Sequence, residues 1–420
     1  MTFRKTLLGG SCLAIQPLLL NALSLPVIAY VIRGLGASAY GQWTMAAAMM
    51  GVLGFIANLG LRGAFVRHIA AEPDTASQAM AEQLGLRLVL AAIASILAMT
   101  LCLVLKYPPV VTECAAIGGV ALLVSTLAAT LVDVLQATGR STTVAAVNMI
   151  AGFLLTAASV IVIWCGMGPV GLSGAYMIAP VVSAGTLLYI VRKRMPVRVR
   201  FDFFHGLRLL KRSRAFAAQN LLNSASSYVE ALYFPQLIGA ANFGIYITGT
   251  LLPLRLGAIP DGFCTAAYPA LARRFREGRV DGTRLTLSWL GFILACCLTA
   301  ALAIFALAGP ISHVLFPAHP ESCRIVIRVT IWALPLFGIE SAIGYAINAA
   351  GADGAQARAA LPAALCNVVL TILLMEHLGI SGACIALPLR HCVRIIMLTT
   401  CFLRWHSAGA EDLPVAVAMT

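Results

Sequence analysis

Between Arg140 and Arg192 the chain reads STTVAAVNMIAGFLLTAASVIVIWCGMGPVGLSGAYMIAPVVSAGTLLYIV, residues 141–191, which is 51 positions without one Asp, Glu, Lys or Arg. A helix that crosses a bilayer needs about 20 apolar residues. The stretch is too long for one crossing and fits two, with Gly166-Met-Gly-Pro169 as the turn between them. The same pattern continues outward in both directions. Uncharged runs extend over Thr6–Ile32, Gly34–Leu61, Leu88–Leu105, Cys114–Val132 and Leu285–Pro320. Of the 420 residues 60% are apolar and 11% charged, whereas an ordinary soluble domain carries about 25% charged residues. These numbers exclude a soluble domain and put nearly the whole chain in lipid.

Splitting the runs at Gly and Pro turns, among them Gly351-Ala-Asp-Gly354, predicts an all-α membrane protein of twelve spans. They fall near 11–32, 41–66, 84–105, 112–136, 144–165, 171–191, 215–238, 243–271, 285–308, 325–349, 359–376 and 380–403. The implied organisation is a first six-helix lobe over 1–191, a basic cytoplasmic linker over 192–214, a second lobe over 215–404 and a cytoplasmic tail over 405–420.

Charge orients the spans. The loops on the N-terminal side hold Arg4 and Lys5, Arg67, Arg140, nine basic residues from Arg192 to Arg214, five from Arg273 to Arg284, Arg358 and Arg404. The opposite loops hold Arg33, Lys106 and Arg324. The positive-inside rule then places both termini of this multi-pass membrane protein in the cytoplasm. The net charge of +13 is thus a topology signal, and no nucleic-acid partner is expected. Arg4-Lys5 precedes an apolar run that no small-x-small cleavage site ends, so this segment is expected to stay as the first span. The twelve cysteines form no CxxC pair and stand at no metal-ligand spacing with His, so neither a metal nor a cofactor is expected. Inside spans they act as small hydrophobes.

Shifting the chain by 203 positions aligns the first two spans with the seventh and eighth. Gln16, Leu18, Leu19, Ala22 and Ser24 match Gln219, Leu221, Leu222, Ala225 and Ser227; Ala37-Ser-Ala-Tyr-Gly41 faces Ala240-Ala-Asn-Phe-Gly244; Leu53-Gly-Phe-Ile56 faces Leu256-Gly-Ala-Ile259. A second anchor, at a shift of 208, brings Gly171-Leu-Ser-Gly-Ala175 and Pro180 onto Gly379-Ile-Ser-Gly-Ala383 and Pro388. A six-helix offset preserves orientation, so the halves are expected to be related by a pseudo-two-fold axis along the membrane normal, an architecture of transporters.

Arg33-Gly-Leu-Gly-Ala-Ser-Ala-Tyr-Gly41, then Asn58-Leu-Gly-Leu-Arg62 and Arg67-His-Ile-Ala70, resemble the opening of bacterial polysaccharide flippases of the Wzx (O-antigen) type. These belong to the multidrug/oligosaccharidyl-lipid/polysaccharide (MOP) exporter superfamily, with the multidrug and toxin extrusion (MATE) transporters and the lipid II flippase. Ala137-Thr-Gly-Arg140, Gly239-Ala-Ala-Asn-Phe-Gly-Ile-Tyr246 and Tyr268-Pro269 are similar to further landmarks of that family, and the similarity runs along the whole chain. The resemblance implies two six-helix lobes that open alternately to either side. It also implies a substrate, a lipid-linked oligosaccharide carried on undecaprenyl diphosphate, that moves from the cytoplasmic to the periplasmic leaflet for surface polysaccharide assembly. Partners implied are membrane lipids, H+ or Na+ as coupling ion, and a polysaccharide polymerase with other assembly proteins.

A charged side chain at the centre of a membrane helix costs about 2.5–3.5 kcal/mol, so those retained face a cavity or a partner. Glu230 lies about 8 residues and Arg255 about 12 from the outer ends of their spans, a depth difference of about 6 Å. If the first two spans of each lobe line the path, as the resemblance implies, Arg255 can bind a phosphate oxygen through its planar fork of donors. Glu230 or Asp261 can then carry a proton or organise a coupling cation. The alternative is an Arg255–Glu230 ion pair that joins two helices. Gln16, Asn21 and Ser24, with Gln219, Asn220, Asn223, Ser224 and Ser227, can bind sugar hydroxyls or serve as interhelical glue worth about 0.6 kcal/mol per bond. Asn58 is grouped with them on the path. Arg62 and Arg33 stand at the inner and outer mouths and can attract the diphosphate. For Arg62, Arg87 and Asp133, snorkelling or an Arg62–Asp133 pair is the competing account. Glu340 and Arg390 read as a buried pair outside the path. Pro17, Pro26, Pro235, Pro253 and Pro260 can kink their helices. Phe201 to Lys211 mixes apolar and basic residues as an interfacial helix does.

No lysine follows a Gly, so a Walker A loop is excluded, and HExxH is missing as well; the chain is read as a non-enzyme. Two other readings stay open at this stage. One is a cation-coupled multidrug exporter of the same fold, against which Arg255 weighs. The other is a membrane-embedded polymerase or glycosyltransferase, for which a long outer loop or an acidic metal motif would be expected.

Overall fold

The computed structural model describes residues 3–58, 61, 65, 76–138, 140–193, 230, 232–350 and 353–407, and over 3–25 and 353–360 it describes the helical course alone. Among the described residues every regular element is a helix: α1 Phe3–Asn58, α2 Ala76–Val104, α3 Pro109–Ala137, α4 Ser141–Trp164, α5 Gly168–Tyr176, α6 Ile178–Arg192, α7 Phe234–Leu256, α8 Ala258–Glu277, α9 Arg279–Leu315, α10 Pro320–Thr330, α11 Ala333–Ala349 and α12 Asp353–Ser407. Eight stretches of described helix are long and apolar enough to cross a membrane. The protein is a multi-pass membrane protein.

Two elements are each too long for one crossing. At 1.5 Å per residue α1, with 56 residues, would run about 84 Å, against a hydrocarbon core of about 30 Å. Gly36 breaks it with φ 78° and ψ 166°, a backbone that a residue bearing Cβ avoids. Gly379 breaks α12 in the same way, at φ 56°, and past this break Gly382 lies against the carbonyl of Leu374. Each of these helices therefore holds two of the predicted spans. The turn expected at 166–169 is present, with Gly166 and Gly168 both at positive φ and Pro169 in the first turn of α5. The seventh predicted span lies mostly outside the described residues.

The chain divides into two compact units, Met1–Ile247 with His313–Pro320, and Thr248–Ser312 with Glu321–Thr420. In the first, Phe65, Met80, Leu131, Val134, Val144 and Leu187 form a core contributed by α2, α3, α4 and α6. In the second, Cys264, Ile293, Cys297, Ile331 and Leu334 join α8, α9 and α10–α11. Many large apolar side chains point outward, Ile96, Leu103, Trp164 and Leu254 among them. In water this would be an aggregation hazard; in lipid it is the expected surface. Because lipid tails are as apolar as leucine, cohesion rests on close packing and polar contacts between helices. Ser95 Oγ donates to the carbonyl of Gly119 at 3.1 Å, and Thr330 Oγ1 to that of Gly249 at 3.2 Å. The eleven described cysteines are free thiols.

The sequence repeat is written into the backbone. Gly239 breaks α7 with φ 76° and ψ 166°, nearly the angles of Gly36, and the two stand 203 positions apart. Beyond the breaks the repeated segments cross inside the first unit. A Cβ on Gly41 would run into the carbonyl oxygen of Ala240, and a Cβ on Gly244 would stand 2.8 Å from that of Ala37. The contact is reciprocal, as for two copies of a motif about a local two-fold. The second anchor repeats in sequence but not in conformation, since Gly171 lies inside α5 while Gly379 breaks α12. Gly41→Ala is expected to destabilise the detergent-solubilised protein by about 1–3 kcal/mol, because backbone cannot yield to the methyl. Gly51→Ala, with nothing within 4 Å, is expected to gain up to about 1 kcal/mol. Thermal unfolding of both variants checks the pair, and equal shifts would remove the crossing as a tight contact.

Candidate functional site

Within the first unit, Arg33 ends the apolar turn of Val31 and Ile32, three residues before the Gly36 break. It is exposed, and its Nε donates to the carbonyl of Val314. Glu230 is half-buried. Tyr107, between α2 and α3, donates to the carbonyl of Leu232 at 3.3 Å. Burial raises its pKa above the ordinary phenol value, and a hydrogen bond with Gln236 opposes part of that rise, so at neutral pH it is a neutral donor. A cavity of about 290 Å³ is lined by Trp43, Met50, Gly118, Leu122, Ser125 and Tyr176, among others. Its serine hydroxyls bond to backbone within their own helices: Ser125 donates to Leu122 at 2.9 Å and Ser173 to Pro169 at 3.2 Å.

One buried polar cluster of this unit was not revealed by spacing alone. Arg87, fully buried, places Nη1 2.9 Å from Asp133 Oδ2 and 3.3 Å from Thr130 Oγ1. With its amide oxygen turned inward, Gln83 accepts from Arg87 Nη2 and Nε at 3.1 Å each. Burial this deep excludes snorkelling for Arg87 and Asp133. The guanidinium is satisfied on all sides, which is what a buried charge requires.

In the second unit α7 ends one residue beyond Arg255, which is half-buried and two residues past Pro253. Gly257 keeps helical angles, and its N–H donates to the carbonyl of Pro253 at 2.9 Å, so the helical course passes through it into α8, which carries Pro260 and Asp261 in its opening turn. Ser341 Oγ of α11 donates to Asp261 Oδ1 at 3.1 Å. The neighbouring Glu340, 6% exposed, takes His391 Nδ1 on Oε2 at 2.7 Å and Arg394 Nε on Oε1 at 3.0 Å. The expected buried carboxylate is therefore present, but the ion pair it makes is with Arg394, one helical turn beyond Arg390, and His391 completes the cluster. Higher in the unit, Arg328 stands over the Phe305 ring at 5.1 Å.

A family model described as "Polysaccharide biosynthesis protein" matches residues 9–275. The chain belongs to that family. No curated protein matches it by sequence. Among solved structures, this member of the polysaccharide biosynthesis family is similar to a multidrug resistance MATE transporter of the MOP superfamily in an inward-facing conformation, with TM-score 0.72, 15% identity, and 94% of this chain and 98% of that one covered. A MOP superfamily transporter from Pyrococcus furiosus, described as having a binding pocket of reverse polarity, gives TM-score 0.65 at 14% identity over 95% and 96% of the two chains. The lipid II flippase MurJ gives 0.57 at 14% identity over 95% and 89%. At such identities the likeness establishes the fold, which is that of the MOP transporters.

The described part of this family member carries some of the expected path residues. Arg33 and Glu230 belong to the first unit, Arg255 and Asp261 to the second, where they flank Gly257. Gln16, Asn21 and Asn58 lie on the helical course of α1, with side chains outside the description; Arg62, Gln219, Asn220 and Asn223 lie outside the described residues. Three basic groups escaped the sequence reading. His391 and Arg394 follow Arg390 on a helix read as lying off the path, and Arg328 sits within an apolar span. For the first two the available signal was their i, i+3 spacing, which puts both on one helical face.

Proposed function

We propose that this protein is an inner-membrane flippase, with both termini cytoplasmic, that carries a lipid-linked oligosaccharide from the cytoplasmic to the periplasmic leaflet by alternating access. What carries the reading is a single conjunction: membership of a polysaccharide biosynthesis family on a fold shared with MOP exporters. In that reading Arg255, at membrane depth, holds the diphosphate of the carrier. Arg33 and Arg62 attract it at the two mouths, and Gln16, Asn21, Asn58, Gln219, Asn220 and Asn223 meet the sugar. Glu230 and Asp261 serve coupling to H+ or Na+. The prolines support bending between states: Pro253 lies inside α7, and Pro260 in the opening turn of α8.

Deleting the gene is expected to leave undecaprenyl-linked oligosaccharide accumulated on the cytoplasmic face and to remove the surface glycan. Lipid extraction with leaflet-specific labelling reads this directly. Normal surface glycan together with drug hypersensitivity would replace the proposal with multidrug export. Failure to extend the glycan while the lipid-linked unit reaches the periplasmic face would indicate a polymerase.

A further inference from the structure

The Glu340–His391–Arg394 cluster in the second unit is built for more than joining helices. Three helices that each carry a proline just ahead of the cluster meet there. Asp261 follows Pro260 in α8. Glu340 follows the Ile331–Trp332 turn and Pro335 in α11, and His391 follows Pro388 in α12. Both oxygens of Glu340 are occupied by donors, Arg394 Nε on one and His391 Nδ1 on the other. A contact of 2.7 Å between nitrogen and oxygen requires a hydrogen between them. The neutral imidazole that carries this hydrogen on Nδ1 leaves Nε2 as an acceptor. Among the described residues no hydrogen bond is recorded for Nε2; the ring meets Phe337 edge to face at 5.6 Å.

The charged groups around this ring come from three helices. Glu340 faces it from α11, Arg390 and Arg394 act on it from α12, and Asp261 of α8 is electrostatically coupled to Glu340. The thiol of Cys264 also feels the Asp261 carboxylate. With both Glu340 oxygens held by cation-type donors, a metal ion would have to displace them, whereas a proton adds at Nε2 and leaves every existing bond in place. No group of three metal-ligating side chains converges among the described residues. Asp261, half-buried, accepts a hydrogen bond from Ser341, the residue next to Glu340.

We infer that His391, held by Glu340, is a proton-binding site within the membrane, that Asp261 is its entrance, and that its occupancy biases the bend of α8, α11 and α12. The balance is one proton onto Nε2, giving imidazolium, and the same proton released from it. This rests on the transporter reading above and gives it a specific coupling site.

The test is pH-jump infrared difference spectroscopy on the purified full chain in phospholipid vesicles. Between about pH 5 and 8 the wild type is expected to gain a proton at an imidazole bonded to a carboxylate. His391→Gln and Glu340→Gln are expected to lose that paired signal at least about tenfold. A spectrum without the paired signal, or an unchanged one in His391→Gln, overturns the site and leaves an ion pair that joins helices. Either variant can fail to fold, so Ser341→Ala, which removes no charge, is the second arm. It is expected to slow proton arrival roughly tenfold without changing the number bound, and an unchanged rate overturns the entrance. Since no oligosaccharide is needed, a titrating site in a chain whose deletion spares the surface glycan would sink the flippase reading and keep the site.

Discussion

Arg87→Ala is expected to destabilise the first unit by about 3–5 kcal/mol, because it takes away the cation paired with the buried carboxylate of Asp133. The expectation follows from the geometry. Arg87 and Asp133 are both buried, with a 2.9 Å contact between them, and Thr130 and Gln83 accept further bonds from the guanidinium. Asp133→Ala is expected to cost a similar amount by exposing the opposite defect. Replacing both at once, Arg87→Met with Asp133→Leu, is expected to recover most of the loss, since a paired burial exchanged for apolar packing is often neutral. Thermal unfolding of the three variants in one detergent measures the cycle. Additive losses in the double variant would mean that the two residues act separately, and would end the interpretation of this pair as one structural unit.

The same cluster shows how far the sequence could be read. Span positions, the break at 166–169 and the repeat at a shift of 203 were legible because apolar runs and glycine punctuation are local signals. The paired breaks at Gly36 and Gly239 turn that repeat into a physical statement about two backbones. Partners of buried charges are not local. Arg87 and Asp133 lie 46 positions apart on different helices, and only the rotation of each helix about its axis decides whether they meet. Glu340 could be recognised as buried, yet its choice between Arg390 and Arg394 is one turn of α12, which pattern alone cannot fix. His391 was hidden for a different reason, since a lone histidine in an apolar span most often packs as a satisfied core residue.

The net charge separates in the same manner. Most of it lies in two stretches, Arg192 to Arg214 and Ala272 to Arg284, which together carry +11 of the +13. Those charges orient the chain and are replaceable one by one. The few left at membrane depth are paired or half-buried, and each costs insertion energy that an apolar residue would not. Among them the half-buried Arg255, unlike the structural Arg87–Asp133 pair, is where substitution is expected to change function at constant protein level.

Arg255→Ala is expected to abolish surface glycan while the protein accumulates in the membrane at its normal level. The side chain is half-buried at the end of α7, between Pro253 and Gly257, so it sits where proline lets the helix bend and where a diphosphate crossing the membrane needs a cation. Removing one partner of a desolvated charge pair costs about 2–5 kcal/mol, which is roughly a thirtyfold to several-thousandfold loss of affinity. Arg255→Lys keeps the charge but loses the planar fork that engages two phosphate oxygens, and is expected to retain a fraction of the activity. Glycan display normalised to immunoblotted protein distinguishes the outcomes. If Arg255 serves only to tie helices together, the alanine variant will lose protein and glycan in proportion, and the lysine variant will restore both. If glycan survives in full at normal protein level, the diphosphate is held elsewhere and Arg255 leaves the path.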